Sequence, residues 1–251
     1  METLGGAAAC WTRSRRPSPA AAVNLVLLPH AGGSAGFYRG WHELLPPQVE
    51  LHAVQYPGRE DRFTEPLLDD MAEMADAVTG AIAGLFAREV VLFGHSMGAS
   101  VAFEVARRCE AAGRPPRLLI VSGRAAPHRQ RPAELHAASD EALVAEVRRQ
   151  SGGSTALDDP DLRTLLLPMI RADYRLAETH RLVSDTPLRM PIAVLRGRED
   201  EAVSEEQANA WGDLTLADCS QVLFEGGHFY FRQQEARVLD TIAALVGRTF
   251  R

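Results

Sequence analysis

Glycine, serine and glycine at positions 94, 96 and 98 stand between an apolar run, Val90-Val91-Leu92-Phe93, and a segment of helix formers carrying Val101, Phe103, Val105 and Ala106. Strand, then Gly-Xaa-Ser-Xaa-Gly, then helix is the setting of a nucleophile elbow, in which a sharp turn lifts the serine hydroxyl clear of the sheet. Only glycine escapes a Cβ collision on either side of so tight a turn. The helix start behind Ser96 adds unpaired N–H groups and the positive end of a dipole. Such a serine can attack an acyl carbon. To do so it needs a base, an acid that orients the base, and donors for the oxyanion.

The chain offers all three. A first strand, Val23 to Leu28, runs into Pro29-His30-Ala31-Gly32-Gly33-Ser34-Ala35. In an elbow arrangement one oxyanion donor is the N–H of the residue after the serine, and the other comes from such a His-Gly loop. Met97 and Ala31 take those roles by position. His228 is the only histidine after His180, and it sits on a glycine-flanked loop just past the strand Gln221 to Phe224. The order serine, acid, histidine then asks for an acid between them. Asp200 closes the strand that begins at Pro191; Glu199 beside it is the alternative, while Asp213 and Asp218 lie off any strand end. Residues 122–133 contain no acid, which removes the rival position after the strand at Leu118 to Val121. His95, inside the elbow, is expected to pack or hydrogen-bond rather than react. The expected chemistry is proton transfer from Ser96 to His228, steadied by Asp200, with an acyl-serine later hydrolysed by water.

The elements that must position these residues follow from periodicity. Apolar strand runs alternate with helical patterns, which predicts an α/β fold: a mostly parallel sheet with helices on both faces. Phe37 to Leu45 reads as a helix stopped by Pro46-Pro47, Glu50 to Val54 as a strand, and Gln55 to Arg62 as a charged loop. Asp69 to Phe86 is amphipathic, with Met71, Met74, Ala75, Val78, Ile82 and Phe86 near helical spacing. The alternation stops over 127–187, where two helices are expected, Ser139 to Gln150 and Asp159 to Leu182, joined by Ser151-Gly152-Gly153-Ser154. Ser139 and Asp159 are their N-cap candidates, and Pro160 suits a first turn. A helical insertion there reads as a lid, whose Leu165, Leu166, Met169, Ile170 and Tyr174 could line an acyl pocket or simply pack. The expected organisation is a loosely ordered segment 1–22, with Trp11 a candidate to pack on the body, and one domain over 23–251. Arg232 to Val246 is expected to close the chain as a helix.

Composition narrows the chemistry. The chain has 251 residues, 46% of them hydrophobic and 24% charged, which suits one domain with a large core. All 27 basic residues are arginine, so Schiff-base, pyridoxal and Walker-lysine chemistry are excluded. A net charge of -6 without a basic block argues against nucleic acid as partner. Cys10, Cys109 and Cys219 are too scattered for a disulfide framework or a metal cluster, so neither metal nor cofactor is expected. The stretch with Arg13, Arg15 and Arg16 lacks the apolar core of a signal peptide, and no run approaches the ~18 apolar residues of a membrane span. A cytoplasmic protein, monomeric and without a membrane partner, is the expectation.

Taken together, Pro29 to Ala35, Gln55-Tyr56-Pro57-Gly58-Arg59-Glu60-Asp61-Arg62, Gly94-His95-Ser96-Met97-Gly98-Ala99, Ala172-Asp173-Tyr174 and Gly226-Gly227-His228-Phe229 resemble the type II thioesterases, stand-alone editing enzymes of polyketide and non-ribosomal peptide synthase pathways. The match runs from about Trp11 to the last helix, and Gln-Tyr-Pro-Gly-Arg is its most discriminating part. The resemblance implies an α/β-hydrolase fold and hydrolysis of stalled or wrong acyl groups from the phosphopantetheine arm of acyl or peptidyl carrier proteins. Carriers of that kind are usually acidic, and Arg124, Arg129 and Arg131 are candidates to meet one. Two other readings use the same sequence features: a small-molecule carboxylesterase or lipase with the same triad, and a non-catalytic scaffold of the same fold.

Overall fold

The computed structural model describes residues 11–153, 155–182, 184 and 186–248. Cys10 and Ser154 lie outside them. Seven strands form one sheet: β1 (Thr12–Arg13), β2 (Val23–Leu28), β3 (Val49–Val54), β4 (Glu89–His95), β5 (Leu118–Ser122), β6 (Ile192–Gly197) and β7 (Cys219–Phe224), in the order β1-β3-β2-β4-β5-β6-β7. Every pairing is parallel except the short β1 against β3. Buried on both faces, β2, β4 and β5 are near-continuous apolar runs, as parallel strands must be when helices cover both sides.

Period-two alternation sends each strand's residues to two separate cores. Val26, Leu28, Leu92, Leu119, Val121 and Val194 join one, packed under α2 (Met71–Ile82) and α3 (Met97–Ala111). Leu25, Leu27, Val91, Phe93, Ile120 and Leu195 join the other, under α1 (Trp41–Leu44) and α7 (Glu235–Arg248). Asp70 starts α2 by accepting the N–H groups of Ala72 and Glu73.

The segment 123–191 between β5 and β6 carries α4 (Asp140–Ser151) and α5 (Pro160–Thr179). Ser139 caps α4 by accepting the Ala142 N–H, and Asp159 caps α5 by accepting those of Asp161 and Leu162. This insertion has its own small core of Leu143, Val144, Leu157, Leu167, Met169 and Ile170, with Tyr174 at its margin. Ala31 packs at the seam between that core and the one under α3. The short α6 (Glu205–Asn209) follows β6, and its capping box joins Ser204 to Gln207.

Several boundaries differ from the sequence expectation. Phe37 to Leu45 is not one helix: a 3-10 turn at Ala35–Tyr38 and the short α1 flank Gly40, which interrupts the run. Beyond Ile82 the second helix tightens into a 3-10 turn through Ala87. Residues 11–22 are tied to the body. Thr12 and Arg13 pair with Val54 and Ala53, the Trp11 carbonyl accepts the Gln55 N–H at 2.8 Å, and the Arg62 guanidinium lies 4.1 Å over the Trp11 ring.

Candidate active site

Parallel register aligns the strand ends, so the loops after β2, β4, β5, β6 and β7 open on one edge. Leu28 is level with Gly94, His95 with Ser122, and Gly197 with Phe224. In open α/β sheets that carboxyl edge is where ligands bind. A cavity of about 230 Å³ opens there, with Ala31, Ser96, Met97, Arg124, Tyr174 and His228 in its wall.

Ser96 stands at φ 53°, ψ -119°, one of two non-glycine residues with positive φ among those described. A β-carbon on Gly94 would lie 2.1 Å from the Gly98 carbonyl oxygen, and one on Gly98 would lie 2.0 Å from the Leu28 oxygen. Both contacts are with backbone, so neither can relax, and both glycines are obligatory. Strain of order 1–3 kcal/mol at the serine is thus held by the packing of α3 onto β2 and β4.

His228 is buried, and its Nδ1 meets Asp200 Oδ2 at 2.9 Å. The other carboxylate oxygen of Asp200 accepts the Ala202 N–H at 3.0 Å. Of the two acids considered at this strand end, Asp200 reaches the imidazole, whereas Glu199 is exposed and Asp213 bonds His128. Nε2 of His228 is buried without a hydrogen-bond partner, so the bond to Ser96 is not formed, although both residues line the same cavity. Catalytic hydrogen bonds of this kind often tighten only with substrate bound.

Two further imidazoles surround His228. His95 lies 4.9 Å from it, centroid to centroid, and 5.9 Å from His30. His95 Nδ1 is 2.9 Å from Ser122 Oγ, which is 2.7 Å from the Tyr230 hydroxyl. His30 sits edge-on between Phe37 and Phe229. Burial, then the nearby His228, lowers the His30 pKa to about 3 and holds His95 well below the usual histidine value. Both stay neutral near pH 7, so neither adds a positive charge beside His228.

The Gln55 to Arg62 block, read from sequence as a charged loop, is largely buried and braces the loop that carries Ala31. Gln55 Oε1 accepts the Ala35 N–H at 2.8 Å, and its Nε2 donates to the Arg59 carbonyl at 2.8 Å. Arg59 donates to the Gly33 carbonyl at 2.9 Å and, through both Nη atoms, to Asp173 on α5 at 2.9 and 2.8 Å. Asp173, fully buried, also accepts the Gly32 N–H at 2.7 Å. Gly32 needs its φ of +74° for this turn, where a side chain would be strained. One ion pair therefore joins the Ala31 loop, the 55–62 block and the helical insertion. The sequence signal was the Ala172-Asp173-Tyr174 motif, without any hint of its partner.

The remaining expectations divide. Of the insertion's apolar residues, Tyr174 reaches the cavity, Met169 and Ile170 fill the insertion's own core, and Leu165 is 49% exposed. Arg129 and Arg131 are exposed, but Arg124 is not a free surface cation: it bonds Ser100, Gln130 and Ala177 inside the cavity wall. Cys109 is buried and Cys219 exposed, both as free thiols. Among the described residues no group of three or more His, Cys, Asp or Glu is placed to hold a metal, and no helix is long and apolar enough to cross a membrane.

Comparison with known proteins bears directly on this edge of the sheet. Residues 23–246 match the thioesterase domain model. The chain belongs to the thioesterase family. This thioesterase is 40% identical over 244 residues to the probable cadicidin biosynthesis thioesterase of Streptomyces griseus, covering 97% of this chain and 68% of that protein. Among solved structures it is similar to the type II thioesterase BorB from the borrelidin biosynthetic cluster, with a TM-score of 0.84 and 43% identity over 94% of this chain and 95% of that one. It is also similar to YbtT, the type II thioesterase of the yersiniabactin pathway, with a TM-score of 0.86 and 31% identity over 96% of this chain and all of that one (100%). The thioesterase is a hydrolase of the α/β-hydrolase fold, and its likeness to the type II group, expected from its motifs, holds across nearly the whole chain.

Proposed function

We propose that this thioesterase hydrolyses aberrant or stalled acyl groups from the phosphopantetheine arm of acyl or peptidyl carrier proteins, through Ser96, His228 and Asp200. The observation that carries the reading is the buried Asp200–His228 hydrogen bond beside a strained serine on one cavity wall. Support for the carrier comes from the relatives: YbtT serves a pathway of non-ribosomal peptide and polyketide synthesis.

In this reading His228 Nε2 takes the Ser96 proton as Oγ bonds the acyl carbon. Asp200 keeps the Nδ1 proton in place and steadies the imidazolium. The N–H groups of Ala31 and Met97 stabilise the oxyanion; losing one such donor typically costs ~10²–10³ in turnover. The tetrahedral intermediate collapses, the carbon–sulfur bond breaks, and His228 returns the proton to the leaving thiolate. Water, deprotonated by the same imidazole, then splits the acyl-Ser96 ester and the hydroxyl regains its hydrogen.

The test loads a carrier protein with a short acyl group and compares wild type with Ser96→Ala. Wild type should release the acid and be labelled by a fluorophosphonate at Ser96, and the variant should do neither. A matched oxygen ester should be the poorer substrate. Release by the variant at the wild-type rate would reject the nucleophile, and preference for the oxygen ester would favour a carboxylesterase.

A further inference from the structure

Arg124 lies two residues beyond β5, in the wall of the cavity that holds Ser96. Its guanidinium is fixed by three internal bonds: Nε to Ser100 Oγ at 3.0 Å, and Nη2 to Gln130 Oε1 at 2.7 Å and to the Ala177 carbonyl at 2.9 Å. Nη1 makes no hydrogen bond and no ion pair among the described residues. The fork is rigid and planar, so locking two of its nitrogens also fixes the direction of the unused donors. Ser100 stands one helical turn past Ser96, a backbone rise of about 6 Å, and its hydroxyl anchors the guanidinium. An acyl chain bound at Ser96 covers that distance within two or three bonds of its carbonyl carbon.

A charged donor in the cavity wall without a protein acceptor is left to solvent or to a ligand, so an apolar residue would be the better lining for a plain hydrocarbon chain. Enclosure has its effect on Arg124: burial, only partly countered by Glu178 and Tyr174, lowers its pKa to about 10. The carboxylate of Glu178 balances the charge at a distance but is committed to the Leu135 and His136 N–H groups and to the His136 ring. Glu146, also in the cavity wall, is bonded to Arg149 and Gln150. What Arg124 lacks is an acceptor, not a counter-charge. The same wall holds Glu146 and Glu178 against Arg124 and Arg131, a balanced set that an anionic acyl substituent would upset and a neutral oxygen would not.

We propose that Arg124 reads a neutral oxygen on the third carbon of the acyl chain, so that 3-hydroxy- and 3-oxoacyl thioesters are hydrolysed in preference to the saturated chain of equal length. This rests on the reading of Ser96 as the residue that accepts the acyl group.

The experiment measures kcat/KM for wild type, Arg124→Gln and Arg124→Lys on 3-hydroxybutyryl, butyryl and malonyl thioesters of one small thiol. In wild type the 3-hydroxybutyryl to butyryl ratio should be about tenfold or more, the scale of one hydrogen bond from a charged donor. It should fall to near one in Arg124→Gln, lie between in Arg124→Lys, and malonyl should be the slowest of the three. Using a ratio cancels any general loss of activity from loosened packing. A wild-type ratio of one or less, or a ratio unchanged in Arg124→Gln, would overturn the assignment; so would malonyl as the fastest substrate. The wild-type ratio decides alone if Arg124→Gln fails to fold. Hydrolysis of all three with a flat ratio removes only the role of Arg124, whereas hydrolysis of none removes the thioesterase chemistry beneath it.

Discussion

Replacing Asp173 by asparagine isolates the ion pair that ties the helical insertion to the Ala31 loop. The carboxylate receives three donors: Arg59 Nη2 on one oxygen, and Arg59 Nη1 and the Gly32 N–H on the other. An amide of the same shape can keep the second oxygen's two bonds only by pointing its NH₂ at Nη2, donor against donor. Arg59, 5% exposed, is then a buried cation without a counter-ion. Breaking such a pair from one side costs about 3–5 kcal/mol. At roughly 2–4 °C per kcal/mol for a chain of this size, Tm should fall by on the order of 10 °C.

The kinetic consequence is separate. Gly32 follows Ala31, and its N–H bond to Asp173 holds the turn that, in the proposed mechanism, presents the Ala31 N–H to the oxyanion. A loosened donor should lower kcat by about ten- to a hundredfold, short of the ~10²–10³ for losing a donor outright, with a smaller change in KM. Thermal melts and steady-state hydrolysis of a small acyl thioester measure both. The double change Arg59→Met with Asp173→Leu supplies the control, because an apolar replacement of a buried pair is often close to neutral in stability. It should recover most of the lost Tm and little of the lost kcat. Asparagine at 173 with wild-type kcat and a lowered Tm would refute the coupling and leave the pair with a purely structural role.

Three other outcomes follow from the same contacts. Gly98→Ala places a methyl 2.0 Å from the Leu28 carbonyl, so it should abolish soluble, active enzyme, as expression and labelling of Ser96 would report. His30 binds its proton less readily folded, at about 3 against 6.5, so the unfolded chain holds more protons between those values and stability rises with pH across that window. Acidification below 6.5 should therefore remove up to ~1.4 kcal/mol per pH unit, and urea midpoints should show a shallower acid limb in His30→Phe. Ser122→Ala strips the partner from His95 Nδ1 in a ring whose Nε2 is already unpartnered, and should cost about 1–3 kcal/mol of stability in denaturant melts.

How much of this was legible in the sequence depends on the range over which each signal acts. The elbow was legible because its cause is largely local: a strand, two glycines around a serine and a helix start fix one turn, and Gly94 closes on Gly98 four residues on, while only the contact of Gly98 with Leu28 crosses from the helix start to the strand beside it. Asp200 and His228 were legible because strand ends in a parallel sheet share an edge, so position along the chain becomes position in space. The helix expected over Phe37 to Leu45 failed at Gly40, where apolar spacing outvoted the breaker. Other features depend on what the fold brings together from afar. Arg59 and Asp173 are separated by 114 positions, and nothing in either segment's spacing names the other. Arg124 reads as a surface charge from its arginine-rich surroundings, Arg129 and Arg131 included, because local composition carries no information about Ser100, Gln130 and Ala177 closing around it. The distinction has a chemical consequence. In the proposed reading the groups for acyl transfer sit on aligned strand ends and are written in short motifs, whereas much of the cavity wall comes from the insertion after β5, where charge, burial and hydrogen bonding must be seen together before a residue can be given a task.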